Sequence, residues 1–330
     1  MARIQTRFMG IDVPSPVIVG SSGLSNGADQ IEKLAAAGAG AVVLKSLFEE
    51  QILMQIEREA GRGGVIYGQA EVDDFVGYYE RKHSVDEYFA LIRETKKRVS
   101  IPVIASINAV SAQQWTQIAG DIADAGADAI QLNMFVPPFS EERSSDEIES
   151  VYVEAIGRVK EIVSLPVAVK IGPYFTNLRR FTTRLVEAGA DALVMFNRFY
   201  QPDISLETLS VGNAAFHSAG TEYPETLRWT AILAPQLGIP VIAAGGIHDG
   251  ATLTKMIVAG ARAVEVVSTL YKNGSEQIAQ MTQELERWMD QQGYATLDDA
   301  CGVLSAESYG KPDMFERVQY MRYYGDVTAK

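Results

Sequence analysis

Residues 126–133 read Gly-Ala-Asp-Ala-Ile-Gln-Leu-Asn, and the same cadence returns elsewhere in the chain. It recurs as Gly38-Ala39-Gly40-Ala41 before Val42-Val43-Leu44-Lys45, and as Gly189-Ala190-Asp191-Ala192 before Leu193-Val194-Met195-Phe196. A further copy is Gly260-Ala261-Arg262-Ala263 before Val264-Glu265-Val266-Val267. Between these copies stands a second motif, a residue followed by Pro-Val and an apolar run. It occurs at Ile101-Pro102, Leu165-Pro166 and Ile239-Pro240, with a weaker copy at Ser15-Pro16. Each run is short, rich in Val and Ile, and apolar without alternation, which is how a strand buried on both faces reads. Proline is tolerated at a strand's first position, where its missing N–H leaves no gap in the ladder. The Gly-Ala pairs fit the C-terminal ends of the preceding helices.

Eight strands follow from the two motifs: 16–20, 41–45, 102–107, 129–133, 166–170, 192–196, 240–244 and 263–267. Helical patterns lie between them, among them Ala112–Ala125, Ile148–Val163, Leu178–Ala188 and Ala251–Ala259. Eight strands joined by helical crossovers predict an α/β fold, a parallel (β/α)₈ TIM barrel. An open doubly wound sheet is the alternative, but it has no need of such uniform strand starts. Connections after strands 2, 4 and 6 (residues 46–99, 134–147 and 197–228) exceed the usual loop length. All three leave the C-terminal ends of strands, where barrels place their sites. The reading is one domain over residues 1–330, with the barrel from about 16 to 304. An amphipathic helix near Gln277–Gln291 precedes a C-terminal extension over about 305–330, which carries Tyr320, Tyr323 and Tyr324.

At 330 residues, of which 47% are hydrophobic, the chain can bury a large core. A net charge of −13 argues against nucleic acid and anionic membrane as partners. No apolar run has the length of a membrane span or a signal peptide, and Cys301 is the sole cysteine. A cytoplasmic protein with a small-molecule partner and no metal site is the expectation. His83, His217 and His248 show no ligand spacing.

The residues closing the strands should face one mouth. They are Ser21 and Ser22, Lys45 and Ser46, Ser106 and Asn108, Asn133, Lys170, Asn197, Gly245 and Gly246, and Ser268 and Thr269. A lysine on an apolar strand must be paired or snorkel to water. Two lysines accompanied by asparagines at equivalent places favour a site. Gly245-Gly246, followed by a helix beginning near Asp249, reads as a phosphate cradle, with Val267-Ser268 supplying further donors. This set suits flavin mononucleotide (FMN). A lysine would stabilise the anionic reduced ring, and amides would read its pyrimidine edge.

These residues resemble dihydroorotate dehydrogenases, particularly the soluble class 1 enzymes. Ser21-Ser22-Gly23 is similar to the family's Ala-Ser-Gly, and Lys45-Ser46 to its Lys-Ser. Ser106-Ile107-Asn108, Leu132-Asn133, Val169-Lys170 with Pro173-Tyr174-Phe175, and Gly245-Gly246-Ile247 resemble its later motifs. Asn197 falls where the family places a substrate-binding asparagine. The resemblance implies that FMN is held by Ser21, Ser22, Gly23, Lys45, Ser46, Asn108, Asn133, Lys170, Gly245, Gly246, Val267 and Ser268. Lys45, Asn133 and Asn197 would bind substrate, dihydroorotate would become orotate in pyrimidine biosynthesis, and a homodimer is implied. There are two departures. Val136 stands where the family has its Cys or Ser base, and the family's substrate loop has no counterpart in the connection after strand 2. Ser140 is the nearest substitute base, with Asp73, Asp74 and His217 in the other long loops. Besides a non-catalytic binding protein that kept the barrel, two further readings stay open at this point. One is an FMN oxidoreductase with a different substrate. The other is a lyase that uses Lys170 as a Schiff-base amine.

Overall fold

The computed structural model describes residues 2–60, 84–112, 114–139, 141–199, 201–310 and 315. Eight parallel strands close a barrel: Val17–Val19, Ala41–Val43, Val103–Ala109, Ala129–Met134, Val167–Ile171, Ala192–Met195, Val241–Ala244 and Ala263–Val266. Numbered 1 to 8 in chain order, each pairs with its successor, and strand 8 returns to strand 1. Strand 2 pairs directly with strand 3, and the two residues Leu47–Phe48 extend that edge beside strand 3.

The register explains the two motifs. The carbonyls of Pro16, Pro102, Pro166 and Pro240 accept hydrogen bonds from Val264, Val42, Ile130 and Leu193, at 2.8, 3.0, 2.9 and 3.0 Å. Each donor is the residue after the last alanine of a Gly-Ala-x-Ala copy. A proline can open a strand because its carbonyl joins the ladder even though it has no N–H to offer. The last alanines, Ala41, Ala129, Ala192 and Ala263, pack into the barrel interior with Ile18, Ile104 and Ile242. The first alanines, Ala39, Ala127, Ala190 and Ala261, pack into the outer layer beneath the helices. The third position is used as well: Asp128 and Asp191, just ahead of strands 4 and 6, accept from the first N–H of the preceding strand, Val103 and Val167, at 2.7 and 2.8 Å.

Helices run over Ala28–Ala36, Val85–Arg98, Ile118–Ala125, Ser145–Ile162, Leu178–Glu187, Tyr223–Leu233, Gly250–Ala259 and Gln277–Gln292. The helix expected from Ala112 begins six residues later, after a short 3₁₀ turn over Gln114–Gln117. The residues before that turn are committed elsewhere, because the buried Glu49 carboxylate accepts from the Val110 and Ser111 N–H groups at 2.8 and 3.0 Å.

Two antiparallel hairpins were not legible in the sequence. Thr6–Phe8 pairs with Ile11–Val13, and its Met9 and Val13 fill the lower end of the barrel interior. Arg3, ahead of it, is tied to a distant segment: it donates to Ala295 and accepts from Leu297, each at 2.9 Å. The second hairpin, Pro202–Ser205 with Ser210–Asn213, stands in the connection after strand 6. The family substrate-loop region at Tyr67–Tyr79, together with Ser140, Asp73, Asp74, His83 and the three C-terminal tyrosines, lies outside the described residues.

Candidate active site

The register sets three of the expected side chains at one level. Asn108 pairs with Asn133, and Asn133 with Lys170, across strands 3, 4 and 5. Each sits near the C-terminal end of its strand. From strand 1 to strand 4 the mouth is tied by hydroxyls and an amide. Ser46 lies 3.0 Å from Ser21 Oγ and 2.8 Å from Ser106 Oγ through its own Oγ. The Asn133 amide donates to the same oxygen at 3.3 Å. Ser106 is held in turn by Tyr88, which accepts from its N–H at 2.7 Å. Lys45 stands half-buried beside this chain.

On the other side lies a cavity of about 430 Å³. Its walls include Ser21, Ser22 and Gly23 from strand 1, Lys170 from strand 5, Asn197 after strand 6, and Gly245-Gly246 and Val267-Ser268 after strands 7 and 8. Gly245 and Gly246 both have positive φ, +98° and +69°, a conformation glycine adopts readily. A Cβ on Gly246 would lie 2.3 Å from the Tyr223 nitrogen. The helix after Gly246 does not lend a free N-terminus, because Asp249 caps it and accepts from Thr252 N–H at 2.7 Å. The short helix Ser268–Asn273 has no side-chain cap and begins at the cavity wall.

Glu265, from strand 8, is a site residue that the sequence reading passed over. Its carboxylate meets the Lys170 ammonium at 2.5 Å across the barrel interior, with strands 6 and 7 between their two strands. The side chains are 11% and 1% exposed, so water screens the pair little. The signal was present, since Glu265 is the one charge in the run Ala263-Val264-Glu265-Val266-Val267.

The far end of the strand 6 connection also reaches the cavity. His217 packs on the Tyr271 ring at 5.0 Å between centroids. Ser218 donates its N–H to Ser268 Oγ at 3.0 Å, and its Oγ lies 3.0 Å from His248 Nε2. Lys272 donates to the Ser218 carbonyl at 2.7 Å. Burial, followed by the nearby Lys272 cation, holds His248 below the ordinary histidine range, against the opposing pull of Asp249 and Glu222. Spacing in sequence hid this group, because 30 residues separate Ser218 from His248.

Val136 is 2% exposed. Its N–H donates to the Tyr152 hydroxyl at 3.1 Å, and its side chain joins the outer layer of the core. It carries no group able to take a proton.

The donor set fits FMN. The Gly245-Gly246 backbone leaves a cradle with no Cβ, and the buried Asn133 Oδ1 has no hydrogen-bond partner among the described residues. An acceptor in that state calls for a donor, such as a ring N–H.

Comparison with known proteins identifies relatives of this chain. The family model for dihydroorotate dehydrogenase matches residues 79–289. The catalytic subunit of dihydroorotate dehydrogenase B (NAD⁺) from Thermoplasma volcanium is 26% identical over 309 residues, covering 92% of this chain and 99% of that protein. The corresponding subunit from Methanocella arvoryzae is 28% identical over 301 residues, covering 89% and 95%. A putative dihydroorotate dehydrogenase A (fumarate) from Aeropyrum pernix is 26% identical over 218 residues, covering 64% and 70%. With a match of the family model over well over half of its length, this chain belongs to the dihydroorotate dehydrogenase family.

Proposed function

We propose that the protein is a dihydroorotate dehydrogenase-like oxidoreductase acting on a CH–CH bond, with FMN as its cofactor. The observation that carries this reading is one cavity lined both by Gly245-Gly246 and Ser268 and by Lys170 and Asn197. When bound, the flavin would supply the two-electron acceptor. The backbone at Gly245, Gly246, Val267 and Ser268 would hold the phosphate, and Ser21, Ser22 and Gly23 would line the flavin. Lys170 and Asn133 would hold the pyrimidine edge, supported by Lys45, Ser46 and Asn108. Lys45, Asn133 and Asn197 would face the substrate.

The test is reconstitution of the purified protein with FMN, followed by flavin fluorescence quenching. Saturable quenching supports the reading, and no quenching sinks it. The Lys170–Glu265 pair sharpens it. Lys170→Ala is expected to weaken FMN binding about tenfold, the size of one hydrogen bond to a charged group. Glu265→Gln frees the ammonium and should bind FMN no more weakly than the parent. Equal affinities for all three proteins would remove Lys170 from the flavin site. The same ion pair argues against a Schiff-base lyase, because an amine held by a buried carboxylate is not free to attack a carbonyl.

We assign residues 1–330 to one domain, with the barrel over about 16–304 and an extension over about 305–330. No helix among the described residues is long and apolar enough to cross a membrane. A cytoplasmic homodimer is the proposed state. The exposed apolar hairpin side chains Ile204, Leu206, Leu209 and Val211 offer the surface for self-association. Sedimentation of the parent and of Leu206→Glu should show a dimer and a weakened dimer; a parent that sediments as a monomer refutes this.

A further inference from the structure

A second chamber, of about 300 Å³, opens beside the cofactor cavity between the segments that follow strands 4 and 5. Its walls are aromatic. Phe135 and Phe199 meet with ring centroids 4.3 Å apart, and Tyr174 stacks on Phe199 at 5.8 Å. Phe139 and Tyr174 stand at its edge, 84% and 77% exposed. Phe199 also lines the cofactor cavity, so one ring forms a wall of both spaces.

The polar groups of the chamber are few and specific. Glu149 is already neutralised by Arg184 at 2.8 Å. Among the described lining residues none is basic. The Tyr152 hydroxyl accepts the Val136 N–H at 3.1 Å, which leaves its own proton to donate. Burial pushes that phenol up, partly offset by the Val136 N–H, so it stays a donor at neutral pH.

We propose that this chamber binds the uncharged, planar ring portion of the substrate, which carries a hydrogen-bond acceptor directed at Tyr152. The size suits a ring of one or two cycles, since about 300 Å³ is at the small end of ligand cavities. Tilted aromatic walls favour a flat ring by offset and edge contacts. An anionic group would find no cation among the described wall residues and would lose its hydration without compensation. The inference names the substrate class for the flavin site proposed above, and rests on that reading only for where the ring is presented.

The test is calorimetric titration of coumarin, which is flat and neutral with a carbonyl acceptor, against coumarin-3-carboxylate. It is run on protein with and without FMN. Coumarin is expected to bind at least about tenfold more tightly than the carboxylate. Phe139→Ser combined with Tyr174→Ser should weaken coumarin about tenfold, and Tyr152→Phe about fivefold. FMN affinity, measured on the same variants, should stay unchanged and certify their folding. Equal or tighter binding of the carboxylate overturns the proposal, and so does coumarin binding indifferent to the substitutions. Coumarin binding by a protein that fails to take up FMN would support the chamber while refuting the flavin reading.

Discussion

Dihydroorotate is expected to reduce the FMN-loaded protein about 10² to 10⁴ times more slowly than it reduces a family member that has the Cys or Ser base, the range that general-base catalysis contributes. The ground is Val136. Its isopropyl side chain is packed into the outer core and has no lone pair with which to accept the proton. His217 does not replace it, since it packs on Tyr271 and adjoins Ser218, at the phosphate end. Stopped-flow bleaching of the flavin, with an authentic family member alongside, decides the question. Rapid bleaching would show that another group supplies the base. Slow bleaching that Val136→Cys partly restores would show that the lost thiol or hydroxyl is the cause.

The second large effect is expected at the phosphate cradle. Gly246→Ala should lower FMN affinity by at least about 100-fold, equivalent to two hydrogen bonds to a charged group. The alanine must hold φ near +69°, and its Cβ would meet the Tyr223 nitrogen at 2.3 Å. That neighbour is backbone at the start of a helix and cannot swing aside as a side chain can. Gly245 is the control. It too has positive φ, but the nearest atom to an added Cβ is Thr226 Oγ1 at 3.8 Å, so Gly245→Ala should cost far less. Fluorescence titration, with thermal denaturation to separate affinity from folding, measures both. Equal losses at the two positions would mean that the close approach at Gly246 does not shape the cradle.

The barrel was legible because its rules are local. A proline that opens a strand and an alanine that faces the interior recur at short range, and the register joins them through one carbonyl, as at Pro102 and Val42. The strand-end residues were legible for the same reason, since position along a strand fixes height in the barrel. What stayed hidden depends on partners far apart in the chain. Glu265 drew no notice in an apolar run, and only closure of the barrel brings it to Lys170, 95 residues away. The Pro202–Ser205 hairpin lacks the alternation that announces a strand, because all four of its first residues are exposed. His217 and Ser218 sit in a long connection whose endpoint no spacing rule fixes. The aromatic chamber needed the fold as well: Phe135, Tyr174 and Phe199 follow three different strands.

The hairpin that fills the lower barrel has a consequence for the order of events during synthesis. Met9 and Val13 are made well before Ala192 and Ala263, which belong to the same buried cluster in the barrel interior. Arg3 waits longer still for Ala295 and Leu297. The hairpin therefore stays undocked until those later strands are made, and a late, long-range closure must complete the floor of the barrel. Such closures slow folding, because distant parts of the chain must meet before their contacts repay the loss of freedom.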